Sequence, residues 1–275
     1  MECSYRAMAW LLAALSGTAL GTITQLLSPA ALERIPSHVA VIMDGSSRWA
    51  RSRNVPRIAG HQAGVDALRT LIDGALELEV PCLTVYALSA ENLRKRPPAE
   101  LDWLFGLFES ALDSDLERLC ARGVQLRFLG DSDEQLPPAL RSRFRAAEAR
   151  RPAEQKLLLC MAIAYGGRQS IAQAARDLAE QVHAGDLRPD EIDDHAFGAA
   201  LSARSRGPPS DPDLLIRTGG EMRLSNFLLY ESAYAELVCE EALWPDFGAE
   251  TLAAAVEVYA ARRRNFGGRA AHVEH

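Results

Sequence analysis

The run His38-Val39-Ala40-Val41-Ile42-Met43 is apolar and β-branched, and it stops at Asp44-Gly45-Ser46-Ser47-Arg48 before a helical pattern resumes. This junction constrains the fold more than any other stretch. A buried strand that ends in small residues and feeds a helix aims free backbone N–H groups and the helix dipole at one point, where phosphate binds well. Gly45 lets the backbone approach, Ser46 and Ser47 can donate, and Arg48 supplies a fork of donors. Asp44 can hold a divalent ion against the same phosphate. These residues equally suit a plain helix cap, and alone they leave both readings open.

The rest of the chain repeats the alternation. Strands are expected over Leu83 to Ser89, Val124 to Leu129, Leu157 to Tyr165 and Leu214 to Ile216. Helical spacing falls after Gly60-His61 (Ala67, Leu68, Leu71, Ile72, Ala75, Leu76), from Pro97-Pro98 to Leu119, and near Ala139 to Arg150. It returns over Gln169 to Val182 and from about Ala249 to Arg262. Several of the strands are apolar throughout, which predicts an α/β fold with a mostly parallel central sheet flanked by helices. In such sheets ligands sit outside the carboxyl ends of the strands. The polar motifs all fall there: Asp44; Ser89 with Glu91 and Asn92; Gly166-Gly167-Arg168; and Arg217 with Arg223 and Ser225. Arginine, hydroxyl and carboxylate converging on one edge suit a magnesium-bound diphosphate. No Ser or Cys nucleophile stands in an elbow, and no GxGxxG follows the first strand, so acyl transfer and dinucleotide binding are poorly supported.

Composition narrows the partners. With a net charge of −7 over 275 residues, nothing favours nucleic acid. Five widely spaced cysteines read as reduced thiols in a reducing compartment, and the six histidines show no metal-ligand spacing. From Ala7 to Leu32 there is no charge. Polar residues dilute this segment below what a spanning helix needs, so a leader over 1–34 is expected, with peripheral membrane contact through 7–32 as a helix lying on the surface or a weak anchor; the alternatives are a helix packed on the domain or a disordered leader.

The motifs HVAVIMDGSSRWA, RIAGHQAG, LTVYALSAEN, AYGGR, DLLIRTGGEMRLSNFLL and SAYAEL with LWPDF together resemble the cis-prenyltransferases, the undecaprenyl and dehydrodolichyl diphosphate synthase family. The likeness runs from about His38 to Gly268, giving a catalytic domain over 35–268 and a tail over 269–275. It implies condensation of isopentenyl diphosphate with an allylic prenyl diphosphate to give a Z-polyprenyl diphosphate, with Mg2+ as cofactor, in a homodimer or, alternatively, a heterodimer. By position, Asp44 and Glu236 would serve the metal. Gly45, Ser46, Ser47, Arg48, Trp49 and Arg57 would bind the allylic substrate, and His61 would assist diphosphate departure. Ser89, Glu91 and Asn92 would lie near the reacting carbons, and Arg217, Arg223 and Ser225 would bind isopentenyl diphosphate. The long helix from Leu101 to Leu119 would wall the cavity for the growing chain.

Three positions depart from the family pattern. Ser46 replaces an asparagine. Leu93 replaces a tryptophan, with one extra residue before Pro97 that makes Arg96 the counterpart of the family arginine. Asn265 stands where an Arg-x-Gly arginine reaches across the dimer, with Arg264 and Arg269 as possible substitutes. A non-catalytic partner subunit is the competing reading. Such subunits typically lack the first aspartate and the basic cluster, both of which are present here.

Overall fold

The computed structural model describes residues 22–130 and 135–264, the side chains of 204 and 205 excepted. Six strands, β1 (His38–Ile42), β2 (Cys82–Ser89), β3 (Val124–Leu129), β4 (Leu157–Tyr165), β5 (Leu214–Arg217) and β6 (Glu236–Cys239), form one sheet in the order β3-β4-β2-β1-β5-β6. Every pairing is parallel. The central strand β1 is buried along its whole length, as its unbroken apolar run predicts. Helices fill the connections from β1 to β5, namely α1 (Ser46–Ser52), α2 (Arg57–Glu77), α3 (Ala90–Lys95), α4 (Pro98–Ala121), α5 (Pro138–Ala149), α6 (Gly167–Ala184) and α7 (Asp194–Ser205); a helix-free loop joins β5 to β6, and α8 (Ala249–Ala261) follows β6.

Side chains alternate across the pleat. Val39, Val41, Leu83, Val85, Leu157 and Leu159 face the larger core with Leu71 and Ile72 of α2, Phe144 of α5 and Val256 of α8. Ala40, Ile42, Tyr86, Cys160, Ala162 and Leu215 face the other side, where Phe227 and Leu228 cover them. β6 is a short edge strand with only Val238 buried.

Register places the strand ends side by side. Ile42 pairs with Tyr86 on one side and with Arg217 on the other. Toward its end β2 slips against β4, because Ala87 is extra in β2 and Ala164, at φ 54°, is extra in β4. The two bulges cancel, so Ser89 meets Tyr165 while the local backbone is re-aimed at the sheet edge.

Three expectations change. Helix α2 begins at Arg57, so Gly60 and His61 lie inside it rather than before it. The domain begins well before residue 35. Ile23, Leu27 and Ala31 are buried in the larger core, the Ser28 hydroxyl donates to Glu257, and Arg34 donates to the carbonyls of Ala260 and Arg262. The last part of the 7–32 segment therefore packs on the domain, as a 3-10 turn (Ile23–Leu26) and a short helix (Pro29–Leu32) separated by extended backbone at Leu27 and Ser28. Residues 7–21, the tail over 269–275, Asn265 and Arg269 lie outside the described residues. Among the described residues no helix is long and apolar enough to cross a membrane.

Helix α2 crosses the Asp44–Arg48 turn at backbone distance. A Cβ on Gly60 would collide with the Ser46 carbonyl oxygen, and one on Gly64 would lie 2.9 Å from the Trp244 ring. Further along α2 a Cβ on Gly74 would meet only rotatable side-chain methyls, Leu252 Cδ2 at 2.8 Å and Ile23 Cδ1 at 3.3 Å. Alanine adds helix propensity of about 1 kcal/mol at either site, whereas overpacking against rigid backbone costs about 1–3 kcal/mol. Gly60→Ala should thus lower the thermal unfolding midpoint by several degrees and Gly74→Ala should not. Circular dichroism melts check this; a Gly60→Ala protein as stable as the wild type contradicts the close crossing.

Candidate active site

A cleft of about 770 Å³ opens at the carboxyl edge of the sheet. Its polar end is built on the β1–α1 turn. Gly45 takes φ 119°, and no side chain caps α1. The cap reading of Asp44 and Ser46 therefore fails. Instead, Asp44 accepts from Arg217 Nη2 at 2.8 Å and sits 3.3 Å from Arg48 Nη2. Thr218, fully buried, fixes the Asp44 backbone: its Oγ1 accepts from the Asp44 N–H at 2.9 Å and donates to the Asp44 carbonyl at 2.7 Å. Arg217 also donates to Ser225 Oγ at 2.6 Å and to the Arg223 carbonyl. Arg48 donates to the Gly219 carbonyl at 2.7 Å.

A second basic cluster is formed by Arg57 of α2 and Arg96, at the end of α3, around Glu100 of α4. Arg57 donates to Ser47 Oγ at 2.7 Å and to Glu100 at 2.9 Å, and Arg96 meets the same carboxylate at 3.1 Å. Glu100 thereby holds two cations beside His61. Burial, with Arg96 and Arg57 added, lowers the His61 pKa from 6.5 to about 4, so its ring is neutral. Its Nε2 is buried with no partner among the described residues.

On the opposite wall, Ser89 caps α3 by accepting the Asn92 N–H at 3.0 Å. Glu91 accepts from Asn226 Nδ2 at 2.7 Å. Burial raises the Glu91 pKa, but hydrogen bonds from its own backbone, Asn226 and Ser89 outweigh it and hold the carboxyl below its ordinary range. The remaining lining is apolar, from Val65 and Leu68 of α2, Leu104, Phe108 and Ala111 of α4, and Met161. It continues into a smaller cavity of about 60 Å³ reaching Phe128 and Phe144. Of α4 only Leu104 and Leu119 are fully buried. The helix thus walls the cleft while its Leu119, and the partly buried Phe105, Phe108, Leu112 and Leu116, also pack with the larger core.

The cleft gathers Asp44, Gly45, Ser46, Ser47, Arg48, His61, Ser89, Glu91, Asn92, Arg96, Arg217 and Ser225. Arg57 stands at its rim through Ser47. Three expected residues do not join. Trp49 donates its ring N–H to Asp246 at 2.7 Å and lies under Arg53. The Arg223 side chain is exposed and paired with Glu221. Glu236 is at the start of β6, level with Leu214 and Val39, and binds Arg262 at 2.8 Å. Three residues along and two strands across put it about 14 Å from the end of β1, so it cannot share an ion with Asp44 of its own chain. Arg264 is likewise committed to Asp213 at 2.6 Å. Thr218, Asn226, Glu100 and Trp244, whose ring N–H donates to the Gly64 carbonyl at 2.9 Å, were not singled out from sequence. Thr218, Asn226 and Trp244 lie inside the quoted motifs, where the neighbouring arginines and carboxylates drew the chemical argument.

One end of this cleft therefore suits a diphosphate and the other a hydrocarbon chain. The prenyltransferase family model, described as undecaprenyl diphosphate synthase, matches residues 42–267. A ditrans,polycis-undecaprenyl-diphosphate synthase ((2E,6E)-farnesyl-diphosphate specific) of Xanthomonas axonopodis pv. citri is 48% identical over 242 residues, 88% of this chain and 92% of that one. An isoprenyl transferase of Caulobacter vibrioides is 45% identical over 243 residues, 88% of this chain and 91% of the other. The crystal structure of lavandulyl diphosphate synthase from Lavandula x intermedia with dimethylallyl diphosphate superposes with TM-score 0.81 at 40% identity, covering 86% of this chain and 99% of that one. With a polar edge and an apolar cavity arranged as the motifs require, and with relatives matched over most of their length, the chain belongs to the undecaprenyl diphosphate synthase family of cis-prenyltransferases.

Proposed function

We propose that this chain elongates farnesyl diphosphate, the primer named for the Xanthomonas relative, with isopentenyl diphosphate in a magnesium-dependent reaction. The observation that carries it is Asp44 held between Arg48 and Arg217 at the mouth of an apolar cavity. In this reading the Gly45–Arg48 turn and Arg57 bind the allylic diphosphate, and Arg217 and Ser225 bind the second. The C1–O bond of the primer breaks and its electrons stay with the departing diphosphate. The π electrons of isopentenyl diphosphate form the new C1–C4 bond, and a C2 proton leaves to the released diphosphate. Arginines aimed at the departing oxygens stabilise the charge that develops there. The neutral His61, hydrogen-bonded to a phosphate oxygen, adds a donor without a fixed charge. The aliphatic wall keeps water from the allylic cation.

The donor set fits magnesium. Among the described residues no three acidic, histidine or cysteine groups converge to cage a metal, and magnesium is ordinarily held by one or two carboxylates with substrate phosphates and water. Asp44 is the carboxylate that would hold it, exchanging an arginine contact for the ion. Such an ion neutralises charge on the leaving diphosphate. The same cluster weighs against a non-catalytic subunit.

Radiolabelled isopentenyl diphosphate with farnesyl diphosphate and magnesium should yield Z-polyprenyl product, and Asp44→Ala should lower turnover at least 100-fold in a protein that still folds but melts at a lower temperature, because Arg217 loses its counter-charge. Wild-type turnover in that variant at saturating magnesium would contradict the assignment. The pH behaviour follows from His61. The unfolded chain takes up its proton near 6.5 and the folded chain only near 4. The residue therefore leaves stability untouched above 6.5 and erodes it as pH falls from 6.5 toward 4. NMR titration should give a His61 midpoint near 4 in the unliganded protein, moving upward when inorganic pyrophosphate and magnesium supply negative charge. A midpoint near 6.5, or none that responds to pyrophosphate, contradicts the placement.

A further inference from the structure

Of the strand-end motifs, only Gly166-Gly167-Arg168 takes no part in the chemistry above. The structure makes it a seat for Asn226. The Gly167 N–H donates to the Asn226 carbonyl at 2.7 Å, and the Arg168 N–H donates to Asn226 Oδ1 at 2.8 Å. A Cβ on Gly166 would collide with Gln169 Oε1 and lie 2.7 Å from Asn226 Nδ2, and one on Gly167 would lie 2.9 Å from Leu229 Cγ and 3.3 Å from the Asn226 carbonyl oxygen. The two glycines therefore admit the asparagine together with Gln169 and Leu229. With Oδ1 fixed by a backbone donor, Nδ2 donates to Glu91 at 2.7 Å and to Gln169 Oε1 at 3.0 Å. The opposite amide orientation would set NH2 against N–H and oxygen against carboxylate, so both ends define the rotamer. Ser225 and Asn226 also lie at φ 49° and 66°, a left-handed region that asparagine tolerates better than most residues.

Asn226 thus joins three strand ends. Its chain neighbour Ser225 carries the hydroxyl that accepts from Arg217, after β5. Its backbone and Oδ1 are bound after β4, and its Nδ2 holds α3, after β2. We propose that Asn226 is a positioning residue that couples the isopentenyl-diphosphate loop to the Glu91–Asn92 turn, setting how the two reacting carbons meet rather than how tightly either diphosphate binds. This inference rests on the prenyltransfer reading. The diphosphate donors Arg217, Ser225, Arg48 and Arg57 do not include its side chain. Loss of the Glu91 tie should therefore spare affinity and lower the rate.

Asn226→Asp breaks that tie together with the second Nδ2 contact, to Gln169, and the Glu91 arm is then tested on its own by the double variant with Glu91→Gln. The single substitution keeps the shape and the acceptor for the Arg168 N–H, and it replaces the donor facing Glu91 with a second carboxylate oxygen. The expected result is a kcat at least 30-fold lower, with both KM values within threefold of wild type. Adding Glu91→Gln, which returns a donor across the same gap, should recover kcat at least fivefold. Hydrogen exchange reads the coupling without turnover: in Asn226→Asp the amides of 90–95 and of 219–226 should both exchange at least tenfold faster. Wild-type kcat, a loss confined to the KM for isopentenyl diphosphate, or no recovery in the double variant would overturn the proposal. So would unchanged exchange over 90–95. A wild-type chain that incorporates no isopentenyl diphosphate would overturn the reaction assignment instead, and the exchange result would still decide the coupling.

Discussion

The ion pair between Asp44 and Arg217 is the contact on which the rest of the site depends. Parallel pairing of Ile42 with Arg217 brings the ends of β1 and β5 together. The Arg217 side chain is only 5% exposed, against 32% for Asp44. A guanidinium that deep needs a counter-charge, because leaving it unpaired costs about 3–5 kcal/mol. The pair is asymmetric: the cation is structural bedrock, while the carboxylate faces open space and can exchange partners. Thr218 holds the Asp44 main chain from both directions, so an exchange at the carboxylate need not move the turn. A diphosphate with its metal could enter this arrangement by substituting charges, with little rebuilding of the backbone.

Close backbone approach is the second constraint. Gly60 and Gly64 let α2 lie against the β1–α1 turn and Trp244, and paired bulges at Ala87 and Ala164 swing the ends of β2 and β4 toward the cleft. These features sit at one edge of the sheet, while the opposite edge is sealed by ordinary ties such as Arg264 with Asp213 and Arg262 with Glu236. The apolar half of the cleft follows from α4. Its leucines and phenylalanines face the sheet but stop short of filling the space, leaving room that a hydrocarbon chain would occupy.

Much of this was legible in the sequence because continuous apolar strands announce a parallel sheet, and such sheets put their ligands at one edge. β1, β2, β4 and β5 were readable for that reason, and with them most of the site. β6 was not: it has four residues, lies at an edge and buries only Val238. Without β6 the register of Glu236 was invisible, and family likeness alone could not show that it starts a strand at the far edge. α7 was missed because its alanines, glycine and serines carry a weak apolar stripe. Ile23, Leu27 and Ala31 looked like part of a membrane segment because their partner, α8, lies more than 200 residues away in sequence. Asn226 escaped notice because its importance lies in orientation, which composition does not encode.

The central claim is that one edge of the sheet presents two adjoining diphosphate sites to a single apolar cavity. A crystal structure with magnesium, a thio-analogue of farnesyl diphosphate and isopentenyl diphosphate tests it most directly. The account predicts one diphosphate on the Gly45–Arg48 turn with Arg57, the other on Arg217 and Ser225, and the farnesyl chain running along Leu104 and Phe108. A diphosphate seated on Gly167 and Arg168, or a prenyl chain outside the wall formed by α2 and α4, would contradict it.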